Sequence, residues 1–375
     1  MFNFNHMFGF EINRELSLNY LSTSIRALVI SMIGIFIPIF ILTLGYDVRD
    51  VILYHIFFYV LITSLISLAT KIISKVGLKF SIATSFPLLI ISYLLLYSSE
   101  VYKISIYWSL IPSVMSFLAF WPAFQIYFAK SSDHSHRGRE IGFLSSINLI
   151  LSAIGPTLAA LIITFFGFGI LFISVSIIML LAIIPIYGSE EKYPKSRFYF
   201  KDLYNKRRKI KEPIIFFSEG INIICELLFW PLLIYFLFND LLIVGYLGSV
   251  LYISILISLY LASKYSDSRK KHKLMIIGSI LYAGSWIVRT AVKSLQSVLG
   301  ASIGTGITST LLDVPYSSIF YDKLSKKTTT EYVVFREIFV GFGRIFILLI
   351  FYFTNSFIIV FGLAALASFI RGFYR

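Results

Sequence analysis

Residues 104–129, ISIYWSLIPSVMSFLAFWPAFQIYFA, run for 26 positions without one charged side chain. About 20 apolar residues in a helix cross the hydrocarbon of a bilayer, so this stretch reads as a membrane span. Eleven more stretches of the kind surround it, at 24–45, 51–70, 79–97, 141–163, 166–187, 214–238, 241–262, 274–292, 296–321, 332–353 and 356–372. Two pairs are divided only by short turns, Phe165-Phe166-Gly167 and Thr354-Asn355-Ser356. The composition agrees: 14% of residues are charged, where soluble domains carry about a quarter, and the mean hydropathy is +0.84. An apolar surplus of that size has to face lipid. The expected fold is an all-α membrane protein with twelve transmembrane helices.

Loop charges set the orientation. One set of loops holds Lys71, Lys75 and Lys79, then Lys130, Arg137 and Arg139, then nine Lys or Arg from Lys192 to Lys211, five from Lys264 to Lys273, and Lys323, Lys326 and Lys327. The opposite set holds only Arg49, Lys103 and Lys293. Basic loops stay in the cytoplasm, so both termini are expected there, in a multi-pass protein of the cell membrane. Residues 1–23 read as a cytoplasmic segment, 24–187 as a six-helix bundle, 188–212 as a basic linker and 213–375 as a second six-helix bundle. The net charge of +14 follows from these loops, and no basic aromatic domain outside the helices points to nucleic acid. Cys225 is the only cysteine, which leaves no intrachain disulfide and no cysteine metal site. The five histidines show no HExxH spacing and there is no GxxxxGK[ST] loop, so neither a cofactor, a metal enzyme nor a nucleotide-driven pump is expected.

The chain also repeats itself. An offset of 193 residues aligns Pro38 with Pro231, Asp47 with Asp240, Leu68-Ala69 with Leu261-Ala262, Lys71 with Lys264, Ser92 with Ser285, Pro122 with Pro315 and Lys130 with Lys323. After a loop that is four residues longer in the second half, Arg139-Glu140-Ile141 matches Arg336-Glu337-Ile338. Halves in the same orientation are parallel repeats related by an axis along the membrane normal.

The loop after the second span, Thr70-Lys-Ile-Ile-Ser-Lys-Val-Gly77-Leu-Lys79, is similar to the GxxxD[RK]xG[RK][RK] motif of the major facilitator superfamily, with Ser74 in place of the acid. Its repeat, Ser263 to Lys271, keeps the acid as Asp267. The fifth span, Gly142-x8-Leu151-x3-Gly155-Pro156-x2-Ala159-Ala160, is similar to the family's antiporter motif. With the repeat and the basic linker, these residues make the whole chain resemble that superfamily. The helix-four arginine motif of its proton-coupled drug exporters is absent. The resemblance implies two bundles that rock about a central site lined by helices one, four, seven and ten. It also implies a gate in which Asp267 meets Arg137 or Arg139 at the start of helix five, and the Ser74 loop meets Arg336 at the start of helix eleven.

Ionisable residues at membrane depth read as functional. Glu219 and Glu226 share a face of the seventh span; Asp313 lies on the tenth and Arg344 on the eleventh. Asp313 and Arg344 read either as an ion pair or as substrate contacts. Glu226 is expected near mid-bilayer beside Arg344. There a cavity that wets it from one side at a time lets it take up a proton in one state and release it in the other; the alternatives are a ligand for a cationic solute or a structural partner. Arg289 is expected to snorkel to an outer helix end, and Arg26 to anchor at the interface. Phe120-Trp121-Pro122 and Phe229-Trp230-Pro231 place Trp121 and Trp230 either as pocket walls or as lipid-facing packing. Gln125 and Asn148 read as polar contacts or as helix–helix hydrogen bonds. Together these features predict a monomeric secondary transporter of a small organic solute working by alternating access, with protons as a coupling ion and export as its direction. The alternatives are a metabolite importer or uniporter, and a polytopic protein that transports nothing.

Overall fold

The repeat prolines Pro38 and Pro231 do the same thing to two helices: each starts the second piece of a broken one. The computed structural model describes residues 14–131, 137–188, 190–193, 211–266, 271–324 and 329–374. In it, α1 runs Arg14–Ile33, turns, and resumes as Ile37–Thr43 with Pro38 in its first turn. α7 runs Lys211–Ile224, passes through a π turn at Cys225–Phe229, and resumes as Trp230–Phe238 with Pro231 in its first turn. Proline has no N–H and its ring crowds the carbonyl four residues back. The chain relieves this in α7 by passing the Trp230 N–H to the Cys225 carbonyl, five residues back, which is the hydrogen bond of a π turn.

The other segments are α2 (Val48–Val76), α3 (Leu78–Tyr102), α4 (Leu110–Ser131), α8 (Leu241–Ser266), α9 (Lys271–Arg289), α10 (Leu295–Leu324), α11 (Thr329–Thr354) and α12 (Phe357–Arg371). α5 and α6 share Arg137–Tyr187 and are divided at Gly167, whose φ of 83° lies in the left-handed region. Asn355 (φ 48°) makes the corresponding turn between α11 and α12. On length and composition alone, seven described stretches suit a membrane span; one of them, Ser146–Tyr187, holds both α5 and α6. α9, α10 and α11 pack among these as full members of the bundle and carry Arg289, Asp313, Arg336, Glu337 and Arg344.

Packing follows the repeat. α1 lies on the α5–α6 hairpin, α2 on α4, and α3 on α4 and α6; α7 lies on α11 and α12, α8 on α10, and α9 on α10 and α12. Each second-half pair is a first-half pair advanced by six helices. The halves meet where α5 packs on α8 and α2 packs on α11, which exchange under the same shift. The repeat aspartates stand at the start of the second helix of each half: Asp47 caps α2 in a capping box with Asp50, which accepts the Asp47 N–H, and Asp240 accepts the Leu242 N–H ahead of α8, meeting donors at a helix start.

Small residues bring the halves together. At Gly155 the backbone of α5 meets Leu28 and Ser31 of α1, and at Gly245 α8 meets Pro156 and Ala160 of α5. Thr157 of α5 then bonds to Ser249 of α8 at 2.7 Å. A Cβ on Gly245 would fall 2.6 Å from the Pro156 carbonyl oxygen. Gly245→Ala is therefore expected to destabilise the protein by roughly 1–3 kcal/mol through overpacking. Gly300 on α10 has open space around it, and Gly300→Ala should be neutral or stabilise by up to about 1 kcal/mol. Thermal unfolding of both variants in detergent checks the contrast.

Candidate substrate and coupling site

Glu226 sits in the π turn of α7, where the register of the helix slips by one residue. Both of its carboxylate oxygens are taken by Arg289 of α9, at 2.8 and 2.9 Å. Arg289 is 0% exposed, and its guanidinium lies between the rings of Trp230 (4.1 Å) and Trp286 (4.3 Å). The expected snorkelling of Arg289 is therefore wrong: a carboxylate and two indole faces hold it inside the bundle. Arg344, expected beside Glu226, is elsewhere; it faces Tyr59 of α2 and Phe117 of α4, with ring centroids 5.1 and 5.8 Å away. Nor does it pair with Asp313, whose Oδ1 is bonded by Arg371 of α12 at 2.6 Å.

One helical level away, Glu219 accepts from Arg336 of α11 (3.1 Å to Nε) and from the Tyr316 hydroxyl of α10 (2.8 Å). Arg336 reaches on to its neighbour Glu337 at 2.6 Å, and Gln125 of α4 donates to the same Glu337 oxygen across the seam between the halves at 3.3 Å. Arg336 is thus turned into the second half. Ser74, expected opposite it, donates to the Lys71 carbonyl of its own helix. The linked groups comprise four carboxylates, Glu219, Glu226, Asp313 and Glu337, against three guanidinium groups, Arg289, Arg336 and Arg371.

These groups border a cavity of about 450 Å³ between α7, α8, α10 and Ile35 of α1. Glu219, Glu226, Asp313, Tyr282, Tyr316 and Arg371 supply its polar wall, and Trp230, Leu227, Leu247 and Leu251 belong to its apolar wall. Asp313 is the most open acid, with 48% of its side chain exposed. An apolar cleft with a few converging polar groups is the usual form of a small-molecule site.

The first half contributes differently. Trp121 of α4, partly exposed, lies in a row of rings with Phe117, Phe120 and Phe124. Arg26 is not at an interface: it is buried over the Phe120 ring at 3.9 Å, without a carboxylate among the described residues. Asn148 accepts from Ser24 at 2.7 Å and ties α5 to α1. Gly155 and Pro156 stand at the crossing of α5 with α1 and α8. Gly77 leaves room for Glu191, whose carboxylate accepts the N–H groups of Lys79 and Phe80 at the start of α3; a charge at a helix N-terminus is favourable, and an acid more than a hundred positions away could not be matched to that loop from spacing. Asp267 lies outside the described residues, as do the side chains of Arg137 and Arg139.

The family model of the Major Facilitator Superfamily matches residues 20–212, just over half of the chain, and the chain belongs to that superfamily. It is 25% identical over 250 residues to "Uncharacterized protein YqgE" of Bacillus subtilis (strain 168), an alignment that takes in 62% of this chain and 57% of that protein. The chain thus matches less than two thirds of that relative's length. Its fold is that of the E. coli fucose:proton symporter FucP (TM-score 0.66, 11% identity, 95% of this chain and 96% of that one). It is equally that of the human organic anion transporter MFSD10 (TETRAN) (TM-score 0.70, 11% identity, 96% and 99%). At that identity the likeness speaks for the fold alone.

Removing one partner of a buried ion pair leaves a bare charge and costs about 3–5 kcal/mol, while replacing both is far milder. Arg289→Gln is expected to lose that much stability, and the double variant Glu226→Gln/Arg289→Gln to recover most of it. Thermal unfolding in detergent measures both. Equal losses in the single and the double variant would show that the pair is not what holds α9 to α7.

Proposed function

We propose that this transporter is a proton-coupled secondary transporter of a small organic solute, with Glu337 as the coupling carboxylate. Two buried oxygens carry the reading. Oε2 of Glu337 and Oε1 of Gln125 are both buried without a hydrogen-bond partner, although the two side chains already touch through their other atoms. Each acceptor lacks a donor, and a proton on Glu337 would supply one for the amide oxygen while the amide N–H donates to the acid.

The position suits coupling. Gln125 belongs to α4 and Glu337 to α11, so the pair exists only while the halves are closed at that end. Parting them exposes Glu337 to water, where a carboxylate ionises readily; closing them returns it to a site where the ionised form leaves an oxygen bare. Glu226 is the weaker candidate because Arg289 already holds both of its oxygens. The likeness of α5 to the antiporter motif supports exchange of the solute against protons.

Proteoliposome assays separate the roles. With a solute found by counterflow screening, Glu337→Gln is expected to keep exchange between equal pools within about threefold of wild type. Accumulation driven by a pH gradient should fall at least about tenfold, the size of a lost 1.4 kcal/mol of coupling. Glu226→Gln is expected to lose both, because it leaves Arg289 buried without its partner. Full gradient-driven accumulation by Glu337→Gln would overturn the assignment.

A further inference from the structure

Among the described residues, the arginines at membrane depth fall into two groups. Arg289, Arg336 and Arg371 each hold a carboxylate. Arg26 and Arg344 hold none, and of the two Arg344 lies at the seam between the halves: it is 6% exposed, its Nε is buried without an acceptor, and its neighbours are the rings of Tyr59 of α2 and Phe117 of α4. It lies on α11 fifteen residues from one end and ten from the other, out of reach of a lipid headgroup from either side, since ten residues of helix span about 15 Å. A lone charge there is costly and calls for an anion that is not part of the chain.

The surroundings shape that anion. Gly341 lets α11 close on Thr63 of α2, and Gly343 lets it close on Phe217 of α7, so the Arg344 backbone is wedged between the halves. α4 and α11 are antiparallel and touch at two levels, Phe117 with Arg344 and Gln125 with Glu337. The two levels are two helical turns apart, about 11 Å. Trp121 stands midway between them on α4 and is partly exposed in a row of stacked rings. The seam between α4 and α11 therefore carries a guanidinium at one level, the carboxyl of Glu337 at the other and an indole between.

We propose that Arg344 is the anion-binding subsite of the transported solute, and that the solute is a small organic anion with a flat apolar body lying against Phe117 and Trp121. Arginine presents a planar fork that suits a carboxylate. The proposal rests on the reading of the chain as a solute transporter and names the chemical class that transporter takes.

Radiolabelled benzoate is the probe, measured by scintillation proximity on the full-length protein in detergent. Saturable binding is expected, with the neutral isostere benzamide competing at least about tenfold more weakly, the discrimination one charge-assisted contact supplies. That comparison uses only the wild-type protein. Arg344→Gln should weaken benzoate binding at least about tenfold, Arg344→Lys should fall between, and Trp121→Ala should weaken benzoate and benzamide alike. No saturable benzoate binding, equal competition by benzamide, or unchanged binding by Arg344→Gln would each overturn the proposal. The two readings fail separately. Accumulation of a neutral solute at wild-type rate by Arg344→Gln sinks the anion subsite and keeps transport. Arginine-dependent benzoate binding in a protein that moves no solute keeps the subsite and sinks transport.

Discussion

The constraint behind this structure is that a charge inside a bilayer must meet another charge. Hydrocarbon offers no hydrogen bonds, so each ionised group at depth either finds a partner or neutralises itself. Among the described residues, the second half meets this with ion pairs that join different helices: Glu226 of α7 to Arg289 of α9, Glu219 of α7 to Arg336 of α11, and Asp313 of α10 to Arg371 of α12. Five of the six helices of the second half, all but α8, take part in these contacts. Breaking any one leaves a bare charge, so the polar wall of the cavity moves as a unit.

The first half solves the same problem with few charges. α4 brings a row of rings where α10 brings Asp313 and Tyr316, although Pro122 and Pro315 mark them as the same helix of the repeat. The backbone has stayed symmetric while the side chains have diverged. The broken helices α1 and α7, the aspartates that start α2 and α8, and the crossings of α5 on α8 and of α2 on α11 keep the two-fold pattern. The charged wall is asymmetric, and the cavity with it: of its lining residues only Ile35 comes from the first half.

What the sequence disclosed follows the same division. Spans, turns and the repeat are local signals: an uncharged run, a proline, an aspartate after a turn. They led to twelve helices of the superfamily fold. The acids Glu219, Glu226 and Asp313 were legible because a charge in an apolar run is conspicuous on its own. Their partners were not, because pairing depends on which helices become neighbours and how each faces. Arg289 is the last residue of α9, where snorkelling is the ordinary outcome, and its contact with Glu226 of α7 turns it inward. Depth alone places Arg344 beside Glu226, yet Glu226 faces Arg289 of α9 and Arg344 faces Tyr59 of α2 and Phe117 of α4. Glu337 was passed over as part of the repeat Arg-Glu-Ile, and its contact with Gln125 spans 212 positions.

α11 is where these threads meet. Within three turns it presents Arg336 to Glu219, Glu337 to Gln125, and Arg344 to Tyr59 and Phe117, and its glycines close on α2 and α7. One face is bonded into the charged second half and the other lies on the aromatic first half. A rigid helix cannot change one of these contacts and keep the rest. If α4 draws back from α11, Gln125 leaves Glu337 and Phe117 leaves Arg344 in the same movement, so the acid is wetted as the guanidinium is opened. On the proposed roles of these residues, coupling between proton and solute needs no relay through the protein. It follows from placing both binding groups two turns apart on one helix, at a seam between the halves that alternating access must open and close.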